Sequence, residues 1–321
     1  MPKILLVLLS YLFIYSSFLN AQNIQRCATV EKEKELINND PSYLTRRSLI
    51  NNEFKKWKEQ ANLYRSSNIF TIPVVVHVLY ENNTQNISDA QIASQIAVLN
   101  EDYRLLNSDT NLIPSPFKSA AADCQIEFCL ATKDPNGSST NGITRKQTSV
   151  NSIGNTNSYY KSNQGGQDIW DRDKYLNIWV CNLGGGLLGF AMKPGGQANK
   201  DGVVIDYRYF GNTGTVVSPY NKGRTATHEV GHWLDLDHIW GDSNCGNDNI
   251  NDTPIHQSAN YGCPSFPKTN SCQGASQDGE MFMNYMDYTD DQYVTMFTEG
   301  QSDVFNVTLD GENGGLGYRE Y

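Results

Sequence analysis

The amino-acid sequence predicts an α+β fold: a sheet backed by helices, then an irregular region held by other means. Three observations carry this. Runs of β-branched and apolar residues recur at 69–80, 124–131, 143–148, 175–183 and 201–209. An amphipathic stretch at 88–105, with Ile92, Ile96, Leu99 and Tyr103 at helical spacing, stands between the first two runs. Residues 239–280 are rich in Gly, Asn, Asp and Pro and carry three cysteines, a texture that disulfides or bound Ca²⁺ usually staple.

The chain has 321 residues, enough for one large domain or two modest ones, and 39% hydrophobic with 19% charged residues marks it as globular. A net charge of -10 argues against nucleic acid, whose binders need a basic face. Lys3 followed by the apolar run 4–19 reads as a signal peptide over residues 1–21, because the run is short for a membrane span. An uncleaved anchor helix is the alternative. The mature chain is then secreted, without a membrane span, and is expected to be a monomer.

Residues 22–68 are rich in Lys, Glu, Asn and Arg, with one helical-looking stretch at 49–64. They cannot bury a core alone and form either a lead-in or a pro-segment lying on something else. The first strand follows, and Pro73 pushes that end toward a sheet margin. Ser88 caps the helix behind it. Gly184–Gly186 and Pro194–Gly196 mark loops between the fourth and fifth strands. A further helix is expected at about 222–234.

That helix carries His228-Glu229-Val230-Gly231-His232, and His238 follows six residues later. His228 and His232 lie one turn apart on one face, so two imidazoles can share one Zn²⁺. A tetrahedral site with one open position needs a third protein ligand, which His238 supplies if the helix stops near Asp235 and the chain turns back. Glu229 beside the first ligand is placed to act as general base. Export makes the seven cysteines candidates for pairing, and their odd number leaves at least one out. Cys27 stands far from the next, Cys124. Cys124, Cys129 and Cys181 lie on strands, either paired or as buried free thiols.

These residues resemble the extended zinc motif of the metzincin metallopeptidases, and Met281–Tyr288 is similar to the Met-turn of that clan. Trp233, the turn at 284–288 and Thr289-Asp290-Asp291 are similar to the pappalysin family, above all its bacterial ulilysin-like (cytophagalysin) members. Segments 176–183 and 201–210 look like that family's sheet and edge strand. The resemblance covers about residues 69–301 and implies a two-lobed metzincin (zincin-like) catalytic domain over 69–321. Sheet, backing helix and active-site helix would lie above the cleft; the irregular loops, Met286 and a C-terminal helix below it.

By the same resemblance the chain is a zinc endopeptidase acting on proteins or peptides. Zn²⁺ sits on His228, His232 and His238, Glu229 is the base, Tyr288 stabilises the oxyanion, and Met286 is an apolar floor. Arg26-Cys27-Ala28-Thr29 resembles a pro-segment motif whose thiol takes the fourth zinc position, with Arg46-Arg47 or Arg65-Ser66 as activation cuts. Cys245 pairs with Cys272, while the expected partner of Cys263 is Tyr293 here. Asp248, Asn251, Asp252 and Thr253 would hold Ca²⁺. Asp290 and Asp291 would line a pocket favouring Arg or Lys after the scissile bond. The family's usual Gly is Asp235, which favours the second reading: a weak or inactive zinc- or peptide-binding protein on this scaffold. A zinc enzyme using a distant Glu ligand is disfavoured, since His238 completes the set.

Overall fold

The computed structural model describes residues 24–60 and 69–309, with 57–60 as backbone only. Residues 1–21, read from the sequence as a signal peptide, and the bond Arg65–Ser66 lie outside the described residues. The chain opens with two helices, α1 (Thr29–Asn39) and α2 (Ser42–Gln60). The sequence reading anticipated only the second, and placed it too late. α1 has few apolar residues, and the one it buries deeply is Leu36, against Tyr43 and Met192.

Strand β1 (Phe70–Tyr80) is central. Its first half pairs in parallel with β2 (Ile126–Leu130) and its second half with β3 (Ile143–Gln147). On its other side runs β4 (Leu176–Cys181), also parallel, beginning at Val74. Pro73, just before that pairing, therefore costs no bond on the β4 side; it marks where the ladder ends, and β1 is not an edge strand. Ile72, Val74, Val76 and Val78 point into the main core, while Val75 and Leu79 pack under loops on the opposite face. Burial on both sides explains why β1 reads as a continuous apolar run.

Helix α3 (Asp89–Tyr103) connects β1 to β2, with the Ser88 hydroxyl accepting from the Gln91 amide at 3.2 Å. The sheet continues through β6 (Val203–Asp206) and ends at β5 (Gly189–Ala191), which runs antiparallel to β6. Here the sequence expectation is corrected. Residues 184–186 and 194–196 are loops, as the sequence predicts, but between them lies an edge strand it did not announce; three residues, one of them Gly, carry no period to detect. The segment at 201–209 lies one position inside the edge, and residues 207–209 leave the sheet as a 3₁₀ turn.

Helix α4 (Arg224–Trp233) packs on α3 and under the β5–β6 edge. The Tyr103 hydroxyl donates to the Thr227 carbonyl at 3.1 Å, and Asp102 pairs with Arg224 at 2.7 Å. From 234 to 298 the described chain forms no helix or sheet strand, until α5 (Glu299–Leu309) closes the lower part. Cys245 and Cys272 are joined in a disulfide inside this irregular stretch. Cys124 and Cys181 are buried free thiols, whereas Cys129 is free and exposed, because its side chain leaves the core face of β2. Cys263 is free and exposed, beside Tyr293.

Ser88→Ala removes the acceptor for one orphan amide of α3. It is expected to destabilise the chain by about 1 kcal/mol, read as a lower urea midpoint at unchanged slope.

Candidate metal centre and active site

Helix α4 ends by a specific device. Asp235 adopts φ 81, its amide donates to the His232 carbonyl at 3.0 Å, and the Leu236 amide reaches back to the Gly231 carbonyl at 3.0 Å. These two bonds form a Schellman ending, which needs a left-handed residue after the helix. Gly meets that need freely, and Asp tolerates it better than most residues. The reversed chain then brings His238 back beside His228 and His232.

The three imidazoles converge on one point. The His232 Nε2 lies 3.2 Å from that of His228 and 3.1 Å from that of His238. Each Nδ1 faces an oxygen acceptor: the Tyr285 carbonyl at 2.7 Å for His228, the Leu236 carbonyl at 2.8 Å for His232, and Asp242 Oδ1 at 2.7 Å for His238. Those acceptors place the ring proton on Nδ1, so three Nε2 lone pairs face one another. Lone pairs cannot hydrogen-bond each other. Burial also holds His228 and His232 far below the usual imidazole pKa, so both are neutral. A cation satisfies all three at once, and their spacing is close to the roughly 3.3 Å edge of a tetrahedron of nitrogens about 2.05 Å from zinc.

Met286 lies beneath the centre, with its amide held by Asn284 Oδ1 at 2.9 Å. A Cβ on Gly231 would stand 2.6 Å from the Met286 sulfur, so the floor requires glycine at that helix position. The Tyr288 hydroxyl is 3.0 Å from His238 Nε2, which puts it at the rim of the same point. Trp240 stacks on His238 at 4.3 Å and further fixes that ring.

The fourth side is closed by the N-terminal segment. The Cys27 Sγ and the three histidine ligand atoms all lie within 4.8 Å of one another, and all four residues are buried. Cys27 Sγ is 3.4 Å from Glu229 Oε2, which also accepts from the Thr29 hydroxyl at 3.0 Å. Glu229 Oε1 is buried without a hydrogen-bond partner. Burial pushes the Glu229 carboxyl up to about 8, against the pull of the Cys27 and Thr29 hydrogen bonds and the Arg26 charge. Burial, helped by Glu229, likewise raises the Cys27 thiol well above its usual value. A dication among the imidazoles opposes both shifts, since it favours the anionic form of each neighbour.

Residues 25–28 run along the sheet edge before α1 begins at Thr29. The Gln25 amide donates to the Gly186 carbonyl at 3.1 Å, the Leu188 amide to the Gln25 carbonyl at 3.0 Å, and the Ala28 amide to the Gly189 carbonyl at 3.1 Å. Gly189 is a functional position that the sequence reading missed. A Cβ there would stand 3.0 Å from Glu229 Cγ, so glycine lets the carboxylate lie under the edge strand. Nothing in a lone glycine at 189 could have announced this. Thr29 was part of the quoted motif, and only the fold showed its hydroxyl on Glu229.

Arg26 fills a pocket beside the centre. Its guanidinium contacts Thr225 Oγ1 at 2.5 Å and Asp291 Oδ1 at 3.2 Å, and lies 4.6 Å from the Tyr220 ring centroid. Asp291 is fully buried and also accepts from the Lys222 amide at 2.9 Å. Asp290 is partly exposed, and its amide is tied to the Gly262 carbonyl. In the loop at 248–253, Thr253 Oγ1 meets Asp248 Oδ1 at 2.5 Å, and Asp248 Oδ2 is buried without a partner. Asn251 is exposed, and Asp252 is turned to the start of α5, accepting from the Thr298 hydroxyl and the Gly300 amide at 2.8 Å each.

Comparisons with known proteins agree on one group. Residues 159–310 match the peptidase M43 family model, described as pregnancy-associated plasma protein-A. An extracellular metalloprotease of Arthroderma gypseum is 33% identical over 265 residues, 78% of each chain. One from Pyricularia oryzae is 31% identical over 250 residues, 72% of each chain. Among solved structures, mature mirolysin of Tannerella forsythia in complex with a cleaved peptide is 54% identical with a TM-score of 0.74, covering 78% of this chain and 94% of that one. A promirolysin mutant of the same organism is 47% identical with a TM-score of 0.77, covering 90% and 95%.

Asp242→Gly removes the carboxylate behind His238 at a residue whose φ of 52 suits glycine. Zinc affinity, measured by competition with a chromophoric chelator, is expected to fall about ten- to hundredfold.

Proposed function

Because the chain belongs to the peptidase M43 (pappalysin) family and is a zinc metallopeptidase acting on proteins or peptides, we propose that it is an exported endopeptidase made latent by its own residues 22–68. Cys27 is the blocking group. The carrying observation is the meeting at one buried point of three imidazole lone pairs, the Glu229 carboxylate and the Cys27 sulfur.

Zinc held by His228, His232 and His238 supplies a Lewis acid that acidifies a water and polarises the scissile carbonyl. The protein's part is positional. Glu229 Oε2, freed of Cys27 and Thr29, takes the proton of the attacking water and carries it to the departing nitrogen. Burial raises this carboxyl and a bound cation would oppose that rise, so the two together favour a group that can both accept and release a proton. The Tyr288 hydroxyl is placed to donate to the developing oxyanion. An extended substrate takes the place of residues 25–28 along the sheet edge, pairing through backbone groups that read no particular side chain. Such a groove lets the chain continue in both directions, which supports endopeptidase action.

Four further readings have their own support. Arg26 on Asp291 supports a pocket for Arg or Lys after the scissile bond, with Asp290 nearby as added negative charge. The promirolysin structure covers more of this chain than the mature one, which supports residues 22–68 as a pro-segment and 69–321 as the catalytic domain. The relatives named extracellular metalloproteases support a signal peptide at 1–21 and export; no helix among the described residues is long and apolar enough to cross a membrane. The buried, unpartnered Asp248 Oδ2 beside Thr253 supports Ca²⁺ in the loop that also carries Asn251 and Asp252. The inactive-scaffold reading rested on Asp235, and that residue makes the turn.

Cleavage of a denatured protein tests the whole. The full chain with Cys27→Ala is expected to cleave without loss of residues 22–68, and the native chain only after their removal. Chelation abolishes both. Glu229→Gln lowers the rate by about 10²–10⁴-fold with one zinc retained. A zinc-loaded, fully processed native chain that cleaves nothing would refute the endopeptidase reading.

Asp291→Asn keeps an acceptor for the Lys222 amide but loses the charge. On peptides with Arg after the scissile bond, kcat/KM is expected to fall by roughly 10–100-fold, the cost of one charged hydrogen bond. Peptides with Leu there should change little.

A further inference from the structure

We infer that the face behind the metal centre is a second docking surface for the N-terminal segment, with Asp235 as its anchor and Arg47 of α2 as the group it holds. This goes beyond the thiol contact at the front and rests on the reading of residues 22–68 as a removable pro-segment.

Asp235 is the starting point. Its turn requires φ 81, which glycine adopts without strain and aspartate does not. Its carboxylate does nothing for that turn: the hydrogen bond it accepts comes from Arg47 Nη1, at 2.5 Å, rather than from a nearby backbone amide. Lys193 Nζ lies 4.0 Å away on the other side and is itself paired with Asp237. Both partners of the Arg47–Asp235 pair are almost buried, at 13% and 10% side-chain exposure. A charge pair so shielded is lost at far greater cost than a surface pair. The side chain found where glycine would suffice is thus accounted for by what it binds across the interface.

The surroundings extend the same surface. Arg47 Nη1 also donates to the Pro194 carbonyl at 3.3 Å, and Arg46 Nε donates to the Gly195 carbonyl at 2.6 Å. A Cβ on Gly195 would lie 3.3 Å from Ile50 Cδ1 and 3.5 Å from Arg46 Cβ, so α2 rests on a glycine. Glu33 faces Arg47 Nε at 4.0 Å and accepts from the Tyr43 hydroxyl at 2.6 Å, which ties α1 into the cluster. Elsewhere α2 fits loosely. Leu44 and Leu49 are exposed, and a cleft of about 450 Å³ separates Asn51 and Lys55 from Asp237 and Asp248. Tyr43 and Ile50 are buried and Phe54 packs against the main core, so the arginine contacts add to apolar packing in placing this helix.

The position of Asp235 gives the contact its consequence. It stands three residues after His232 and three before His238, next to Leu236, whose carbonyl orients His232. The segment therefore grips the ligand-bearing turn from behind while Cys27 closes it in front. Arg46–Arg47, read from the sequence as an activation cut, lies within a helix with both side chains engaged, so cleavage there waits until α2 detaches.

The test uses the zinc-loaded full chain carrying Glu229→Gln, so that self-cleavage does not intervene. Arg47→Gln, Asp235→Gly and the double variant are compared by hydrogen exchange of the α2 amides and by the rate of tryptic cutting after Arg46. Glycine suits φ 81, so the turn survives its introduction. Each single variant is expected to raise both rates at least tenfold with one zinc retained, and the double variant to add nothing beyond the larger single effect. Unchanged α2 protection in both singles, or effects that multiply in the double, overturns the proposal. In the chain with Glu229 intact, Arg47→Gln is expected to shorten the time to activation and to leave the processed enzyme's rate unaltered. If the processed native chain cleaves no peptide, the endopeptidase reading falls, while the exchange result still decides the docking.

Discussion

Three imidazole lone pairs aimed at one buried point cannot satisfy one another, and much of this structure serves to hold them there. Two of the rings are oriented by backbone carbonyls, of Tyr285 and Leu236, and the third by the Asp242 carboxylate. Tyr285 is placed by the turn around Met286, and Leu236 by the left-handed residue before it. The centre thus depends on the ending of α4 and on a loop some fifty residues downstream. Glycine at 231 lets the two approach.

The same density of buried polar groups is what the N-terminal segment engages, and it underlies the proposed latency. Glu229 has one oxygen without a partner and one shared by Cys27 and Thr29. Arg26 occupies the Asp291 pocket, and Gln25 and Ala28 pair along the sheet edge at 186–189. Each contact uses a group that catalysis would need: the base, the pocket acid, the edge backbone. The proposed latency would need no distortion of the rest of the chain, only occupation, and would be reversed when the occupant leaves.

Much of this was legible in order. The β-branched runs located four of the six strands closely, and Ser88 located the start of α3, because burial on both faces and a capping hydroxyl leave local marks. The irregular stretch at 239–280 read correctly as one needing staples. The short edge strand β5 did not show, since three residues with a glycine have no period; nor did α1, whose apolar residues are too few. Pro73 marked the end of the β1–β4 ladder, where a residue without an amide hydrogen costs no bond on that side.

The sequence by itself determined the chemistry: His228, His232, His238 and Glu229 at that spacing admit a metal and a base, and the surrounding wording marks the family. Those features are local, set by side-chain type and helical period. Tertiary structure alone decided what meets them from a distance. It set Gly189 under Glu229, Arg26 on Asp291 and Arg47 on Asp235, contacts between residues some forty to two hundred and sixty-five positions apart. No periodicity records such contacts, because they arise when separate elements are packed against one another.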